Sequence, residues 1–330
     1  MAYVSVVIVN YNGRQYLGEL LDSLARQVRP ADEVIVVDNA SRDGSVNYLQ
    51  QKYPWVQVID LQDNVGFAEG NNVGVARARG DSIALLNNDT VVGEGWLSEL
   101  VEALDADPRI GAVVPKIYKA QSYPQLDCAG AEFNNLGFSW GRGANRVDEA
   151  QFNVRGEVAA LTGCSVLLRR TALEGEPVFD ARFFMYYEEF ELSLRLRGRG
   201  YLIVYVPTAV VHHKVSQGVS QVSRNPVLFQ QFYANRNRLK ILLKYYPTWI
   251  LFRNLPLILL SFVYWDAYFL RYGGPRFAAR ALWHQVAFAL DGVRERHQAR
   301  EVRAHRWIPW MKQQGLLELR SLRSTFASGG

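Results

Sequence analysis

Over residues 3–115 short runs of Val, Ile and Leu alternate with stretches whose apolar residues recur at helical spacing, and this alternation restricts the fold more than any other feature. Residues 3–10 read as a buried strand, after which Tyr16, Leu17, Leu20, Leu21 and Leu24 fall on one helix face. Strands are expected at 33–38, 56–61, 82–86 and 112–114, and helices at 45–53, 67–79 and 96–104. Strand and helix in strict alternation imply βαβ units on a parallel sheet, so the expected fold class is α/β. A hydrophobic share of 49% against 21% charged residues excludes a disordered chain.

In open parallel sheets ligands sit outside the carboxyl ends of the strands. Here those ends collect the polar residues: Asn10-Tyr11-Asn12-Gly13, Asp38-Asn39-Ala40-Ser41 and Asn87-Asn88-Asp89-Thr90. Neither a Gly-x-Gly-x-x-Gly after the first strand nor a Gly-x-x-x-x-Gly-Lys-Ser/Thr occurs, which weakens the dehydrogenase and P-loop readings. Cys128 and Cys164 are too few for a disulfide framework or a four-ligand zinc site and read as buried thiols of a reducing compartment. No basic leader precedes the first strand, so the chain is expected to begin in the cytoplasm.

Residues 116–157 read as a long irregular region, and 158–170 as an apolar strand pair or turn. The segment 179–199 reads as acids and aromatics continuing into a helix with Phe190, Leu192, Leu194 and Leu196 as apolar members. A strand at 202–206 follows, with His212 and His213 beyond it. Among these, Glu188 and Glu189 stand out, because adjacent carboxylates set among aromatics raise one another's pKa through burial and like charge. A cluster of acids at a helix start also complements the helix dipole, which is the plain reading of Glu191. Asp38 has a comparable alternative as the cap of its own loop.

Four ordered motifs, Val9-Asn10-Tyr11-Asn12, Val37-Asp38-Asn39-Ala40-Ser41-Arg42-Asp43-Gly44-Ser45, Asn64-Val65-Gly66-Phe67-Ala68-Glu69-Gly70-Asn71-Asn72 and Leu86-Asn87-Asn88-Asp89, resemble those of family 2 glycosyltransferases with the GT-A fold. The resemblance continues through Thr162-Gly163, Glu188-Glu189 and His213, covering roughly residues 3–240. Bacterial rhamnosyltransferases of surface-polysaccharide synthesis are the most similar branch. The resemblance implies a Rossmann-like, mostly parallel sheet flanked by helices, with a GT-A domain over 1–225 whose nucleotide half is 1–115 and acceptor half 116–225. It implies a nucleotide site of Asn10, Tyr11, Asn12, Asp38, Asn39, Gly66, Asn71 and Asn88, Asp38 taking the ring N–H of a uracil or thymine. A divalent cation, Mg2+ or Mn2+, is implied on Asp89 with His213 completing its shell, although Asn87 and Asn88 replace the more acidic form of that motif. Glu189 takes the family position of the base with Glu188 as runner-up; most relatives carry Asp there. Thr162 and Gly163 fall on the sugar and acceptor side, Trp140 and Arg142 near it, and residues 216–220 resemble a lid.

The implied activity is inverting, metal-dependent transfer of a sugar, such as L-rhamnose from dTDP-rhamnose, to a hydroxyl of a lipid-linked saccharide. The alternative is a non-catalytic subunit of the same fold that binds nucleotide sugar or glycan. Residues 226–330 are expected to form a helical, aromatic and basic extension. Residues 271–330 carry eleven Lys and Arg against four Asp and Glu, a balance of +7, and the chain total of +5 leaves −2 for residues 1–270. The apolar run 255–265 is bounded by Arg253 and Asp266, short of the roughly 20 residues a span needs. With flanking Tyr and Trp and downstream Arg it reads as a monotopic contact with an anionic surface, at the cytoplasmic face of the inner membrane. A helical homodimer contact is the alternative. Nucleic acid is not an expected partner, since the site itself lacks basic residues.

Overall fold

The computed structural model describes residues 3–214, 225–297, 299, 302 and 306–313. The expected alternation is present as β1 (Val4–Asn10), α1 (Arg14–Ala25), β2 (Glu33–Asp38), α2 (Ser45–Lys52), β3 (Gln57–Asp60), α3 (Gly66–Arg77) and β4 (Ser82–Leu86). β1 lies between β2 and β4 and β2 pairs with β3, all in parallel. Every residue of β2 and β4 is buried, because helices cover both faces of the sheet. One apolar cluster joins Leu17, Leu20 and Leu21 to Trp96 and Leu97; the other face packs Ala68, Val75, Leu192 and Leu196. α3 settles closely on its face because Gly74 has no side chain: a Cβ there would lie 2.3 Å from Val7.

β5 (Thr90–Val92), α4 (Trp96–Asp105) and β6 (Ile110–Lys119) follow. β6 runs well past the expected 112–114. Residues 116–157, expected to be irregular, contain β7 (Leu126–Cys128), β8 (Ala131–Asn134), β9 (Ser139–Gly141) and β10 (Gly156–Glu157), strands too short to show a period. Within 158–170 only β11 (Ser165–Arg169) is a strand, inserted antiparallel between β4 and β6. The next helix, α5, begins at Glu188 and ends at Arg199. It cannot start near 179, because Phe184, Tyr186 and Tyr187 all have positive φ. β12 (Leu202–His213) pairs in parallel with β6 and contains both histidines rather than stopping before them. The large sheet thus has the order β10-β12-β6-β11-β4-β1-β2-β3, with β5 on β12 and β7 on β6.

α6 (Pro226–Tyr245), α7 (Thr248–Glu295) and β13 (Met311–Lys312) complete the elements of the described residues. The run expected at 255–265 continues through both bounding charges, so α7 is long and apolar enough to cross a membrane by length and composition. Its helical geometry breaks at Gly274 (φ 80°, ψ 171°), ahead of Pro275. The break folds α7 into a hairpin, in which Gln285 Nε2 donates to Asp266 Oδ1 at 3.0 Å. Trp249, Phe252, Val263 and Trp283 remain exposed on it, as do Arg253, Arg271, Arg276 and Arg280. The C-terminal elements and the sheet-bearing region share one core: Trp307 is fully buried with Phe133, Phe190 and Tyr246, and β13 pairs with β8.

Candidate active site

The carboxyl ends of β1, β2 and β4 meet, as a parallel sheet requires, and their polar side chains bond to one another. Asn10 Nδ2 donates to Asp38 Oδ2 at 2.9 Å, and Asn88 Nδ2 donates to Asn10 Oδ1 at 2.8 Å. Asp38 Oδ1 accepts from the Ser41 amide at 2.8 Å, so this fully buried carboxylate does cap its own loop. Its oxygens keep lone pairs for another donor. Asn12 Oδ1 accepts from the Arg42 amide, and half-buried Tyr11 sits beside it. Asn39 Nδ2 donates to Asn64 Oδ1 and to the Gly66 carbonyl, tying β2 to the start of α3. Asn71 is turned into its own helix, its Nδ2 on the Phe67 carbonyl.

β5 pairs antiparallel with the end of β12, Thr90 opposite His213. That register brings His213 Nε2 to 3.1 Å from Asp89 Oδ1. Behind the ring, Asp127 Oδ2 lies 2.9 Å from His213 Nδ1. Asp127 was not anticipated from sequence; it sits on the three-residue β7, in a stretch with no recognisable period. Burial works against a charged imidazole, but Cys164 and hydrogen bonds to Asp127 and Asp89 hold the His213 pKa well above its ordinary value. A carboxylate and an imidazole suit a divalent cation, and a second carboxylate behind the ring is the usual means of orienting a ligating histidine. Among the described residues no three His, Cys, Asp or Glu side chains form a cage on their own, so any further ligands would come from a diphosphate or water. His212 faces away, stacked on Tyr118 at 5.8 Å.

The third constellation is the start of α5, where the three acids have different surroundings. Glu191 is paired with Arg195 at 2.8 Å and Lys244 at 3.3 Å and accepts from the Tyr245 hydroxyl. Burial alone would raise its pKa, but those charges hold it below the ordinary value. Glu188 and Glu189 have no such partners. Burial raises the pKa of both, and the charge of Glu189 raises Glu188 further. Glu188 is buried, whereas Glu189 is partly open. Ser193 Oγ donates to the Glu189 carbonyl at 2.6 Å and accepts from the Leu161 amide at 2.9 Å, which fastens this turn to the Thr162-Gly163 loop. Gly163 faces the Glu189 carboxyl, which an added Cβ would meet at 3.8 Å.

Glu188, Glu189 and His213 open onto one cleft of about 490 Å³, lined also by Asn87, Asp127, Thr162 and Gly163, whereas Asn10, Asp38, Asn88 and Asp89 are not among its lining residues. Four polar atoms on its wall, Asn87 Oδ1, Thr162 Oγ1, Glu188 Oε2 and Glu189 Oε2, are buried without a hydrogen-bond partner, the Cys128 thiol alone lying near Thr162. Buried polar atoms left unpaired are costly and rare, so their concentration marks a place where a polar ligand belongs. Trp140 also faces the cleft, its indole N–H on Glu132, while Arg142 is spent on the Ala129 carbonyl and the Tyr205 ring. The segment 216–220 lies outside the described residues.

The family model described as "Glycosyl transferase family 2" matches residues 5–175. An N-acetylglucosaminyl-diphospho-decaprenol L-rhamnosyltransferase of Mycobacterium tuberculosis is 32% identical over 233 residues, covering 63% of this chain and 75% of that protein. Among solved structures, GalNAc-T7 with UDP, GalNAc and Mn2+ superposes with a TM-score of 0.60 at 17% identity, over 75% of this chain and 49% of the other. The mannosyltransferase PcManGT from Pyrobaculum calidifontis, in complex with GDP-Man and Mn2+, gives 0.54 at 18% identity over 93% and 88%. At these identities the structural likeness establishes the GT-A fold.

Proposed function

The chain belongs to glycosyl transferase family 2 and is a glycosyltransferase, and from that premise we propose that it transfers a sugar, with inversion, from a pyrimidine nucleoside diphosphate to a hydroxyl of a lipid-linked saccharide. The observation that carries this reading is the half-open, unpartnered Glu189 facing the same cleft as His213. Glu189 accepts the proton of the acceptor hydroxyl as that oxygen attacks the anomeric carbon. The bond from that carbon to the diphosphate breaks on the opposite side, and the diphosphate leaves with the electron pair. Asp89 and His213 would hold a divalent cation, Mg2+ or Mn2+, which when bound supplies neutralisation of the diphosphate charge. Asp38, Asn10, Asn12 and Asn88 line the edge where the nucleotide rests, and Thr162 and Gly163 border the sugar.

L-rhamnose as donor sugar and a polyprenyl-diphosphate N-acetylglucosamine as acceptor are supported by the name of the mycobacterial relative. A lipid-linked acceptor places the enzyme at the cytoplasmic face of the plasma membrane. The exposed Trp249, Phe252 and Trp283 with Arg253, Arg271 and Arg276 on α7 give a surface suited to anionic headgroups. The reading is tested by thermal unfolding with a panel of nucleoside diphosphates and their sugars, with and without Mn2+, in wild type and Asp89→Ala. Metal-dependent stabilisation by a dTDP or UDP ligand, lost in the variant, is the expected result. No stabilisation of folded protein by any pyrimidine nucleotide would point instead to a non-catalytic subunit.

A further inference from the structure

The turn that presents Glu188 and Glu189 is strained. Phe184, Tyr186 and Tyr187 have φ of 65°, 68° and 73°, in the left-handed region that residues with a Cβ avoid. Such a turn persists only where its surroundings over-determine it. On the nucleotide side the Phe184 carbonyl accepts from the Ala68 amide at 3.0 Å. On the other side α6, beyond the segment matched by the family model, meets the carbonyls of the turn. Asn237 is fully buried, and its Nδ2 lies 3.0, 3.1 and 2.7 Å from the carbonyls of Phe183, Met185 and Tyr186. Its Oδ1 accepts from Arg236 Nε at 3.0 Å, so the amide end facing the turn is the donor end. Arg236 Nη2 donates to the carbonyls of Arg182 (3.0 Å) and Phe183 (2.7 Å), and Tyr233 stacks on Phe184 with centroids 5.1 Å apart.

We propose that Asn237 is a positioning residue for catalysis: its side-chain amide clamps three consecutive-turn carbonyls so that Glu189 meets the acceptor hydroxyl in register. The proposal rests on the reading of Glu189 as the proton acceptor. A packing role alone would only need the volume of Asn237. A clamp needs its N–H groups, because a carboxylate or a methyl at the same place takes this donor from the Met185 and Tyr186 carbonyls and leaves Phe183 to Arg236. Misplacing a catalytic group by about 1 Å can cost on the order of 100-fold in rate.

Asn237→Ala is compared with wild type in the full chain, with dTDP-rhamnose as donor and N-acetylglucosaminyl-diphospho-polyprenol as acceptor. The expected result is a fall in kcat of about 10- to 100-fold, with donor KM and calorimetric dTDP–Mn2+ affinity within about twofold of wild type. In a Glu189→Gln background the same substitution should cost almost nothing, since the group it positions has been removed. An equal fold-loss in both backgrounds, or a loss confined to donor KM, overturns the proposal. Amide hydrogen exchange needs no transfer: residues 184–190 should exchange at least about tenfold faster in Asn237→Ala, and unchanged exchange there also overturns it. If wild type binds no pyrimidine nucleotide or transfers nothing, the functional reading fails while the exchange measurement still decides the clamp. Asn237→Ser, which keeps one donor, stands in should the alanine variant not fold, with a smaller loss in the same direction.

Discussion

Two sides of the candidate site handle their polar atoms in opposite ways. At the carboxyl ends of β1, β2 and β4, Asn10, Asp38, Asn88, Asn39 and Asn64 are bonded to each other before any ligand arrives. Across from them Asn87, Thr162, Glu188 and Glu189 each keep a buried oxygen without a partner. The first side is a finished scaffold that a nucleotide can lie against with little rearrangement. The second is held at a cost and is relieved only when hydroxyls enter. Binding and bond-making are therefore expected to separate under mutation, the scaffold side governing affinity for the nucleotide and the orphaned side governing turnover.

The sharpest way to break that contrast is Glu189→Gln, which keeps the volume and removes the proton acceptor. The expected loss in kcat is on the order of 10²- to 10⁴-fold, with dTDP or UDP affinity in the presence of Mn2+ unchanged by calorimetry. A matching loss of nucleotide affinity would mean that the two sides are not separate. A smaller effect is expected from Gly66→Ala, at the seam between them. Gly66 has φ 86°, and a Cβ there would lie 2.6 Å from the Phe184 carbonyl and 2.5 Å from its ring. Both strain and clash act, so a stability loss of about 1–3 kcal/mol in urea unfolding is expected, together with reduced turnover through the displaced acidic turn. Wild-type stability in this variant would show that the turn is looser than its hydrogen bonds imply.

The polar edge was legible in the sequence because a parallel sheet delivers every strand end to one side, so three polar strand ends are adjacent whatever the loops do. Asp89 and His213 were legible as motif positions, and the antiparallel β5–β12 pairing brings them together. Asp127 was not: a three-residue strand carries no period, and its carboxylate matters only through the imidazole that it orients. Nor was the α6 clamp. Arg236, Asn237 and Arg238 follow one another on α6, yet all three are buried, Arg236 and Asn237 bonded to carbonyls of the acidic turn and Arg238 Nη1 to the Leu136 carbonyl. Long-range bonds from side chain to backbone leave no local pattern. Asn71 shows the converse case, a motif residue whose amide is used inside its own helix.

The smallest expected effect comes from Glu188→Gln and sharpens the comparison from the side of stability. Burial, and then the charge of Glu189, raises the Glu188 pKa above its unfolded value. The folded state therefore holds this proton more tightly than the unfolded chain does. Near pH 4 both states are largely protonated and the group costs little; as pH rises from there through the raised pKa, the folded state must accept a buried charge and stability falls. Replacing the acid by a neutral amide removes that charge, so Glu188→Gln should match wild type near pH 4 and exceed it by about 1 kcal/mol near pH 8. Thermal unfolding followed across that range measures the difference. A variant less stable than wild type at pH 8 would mean that Glu188 is ionised and held by the fold, and the orphaned side would then be reduced to Glu189 and its neutral neighbours.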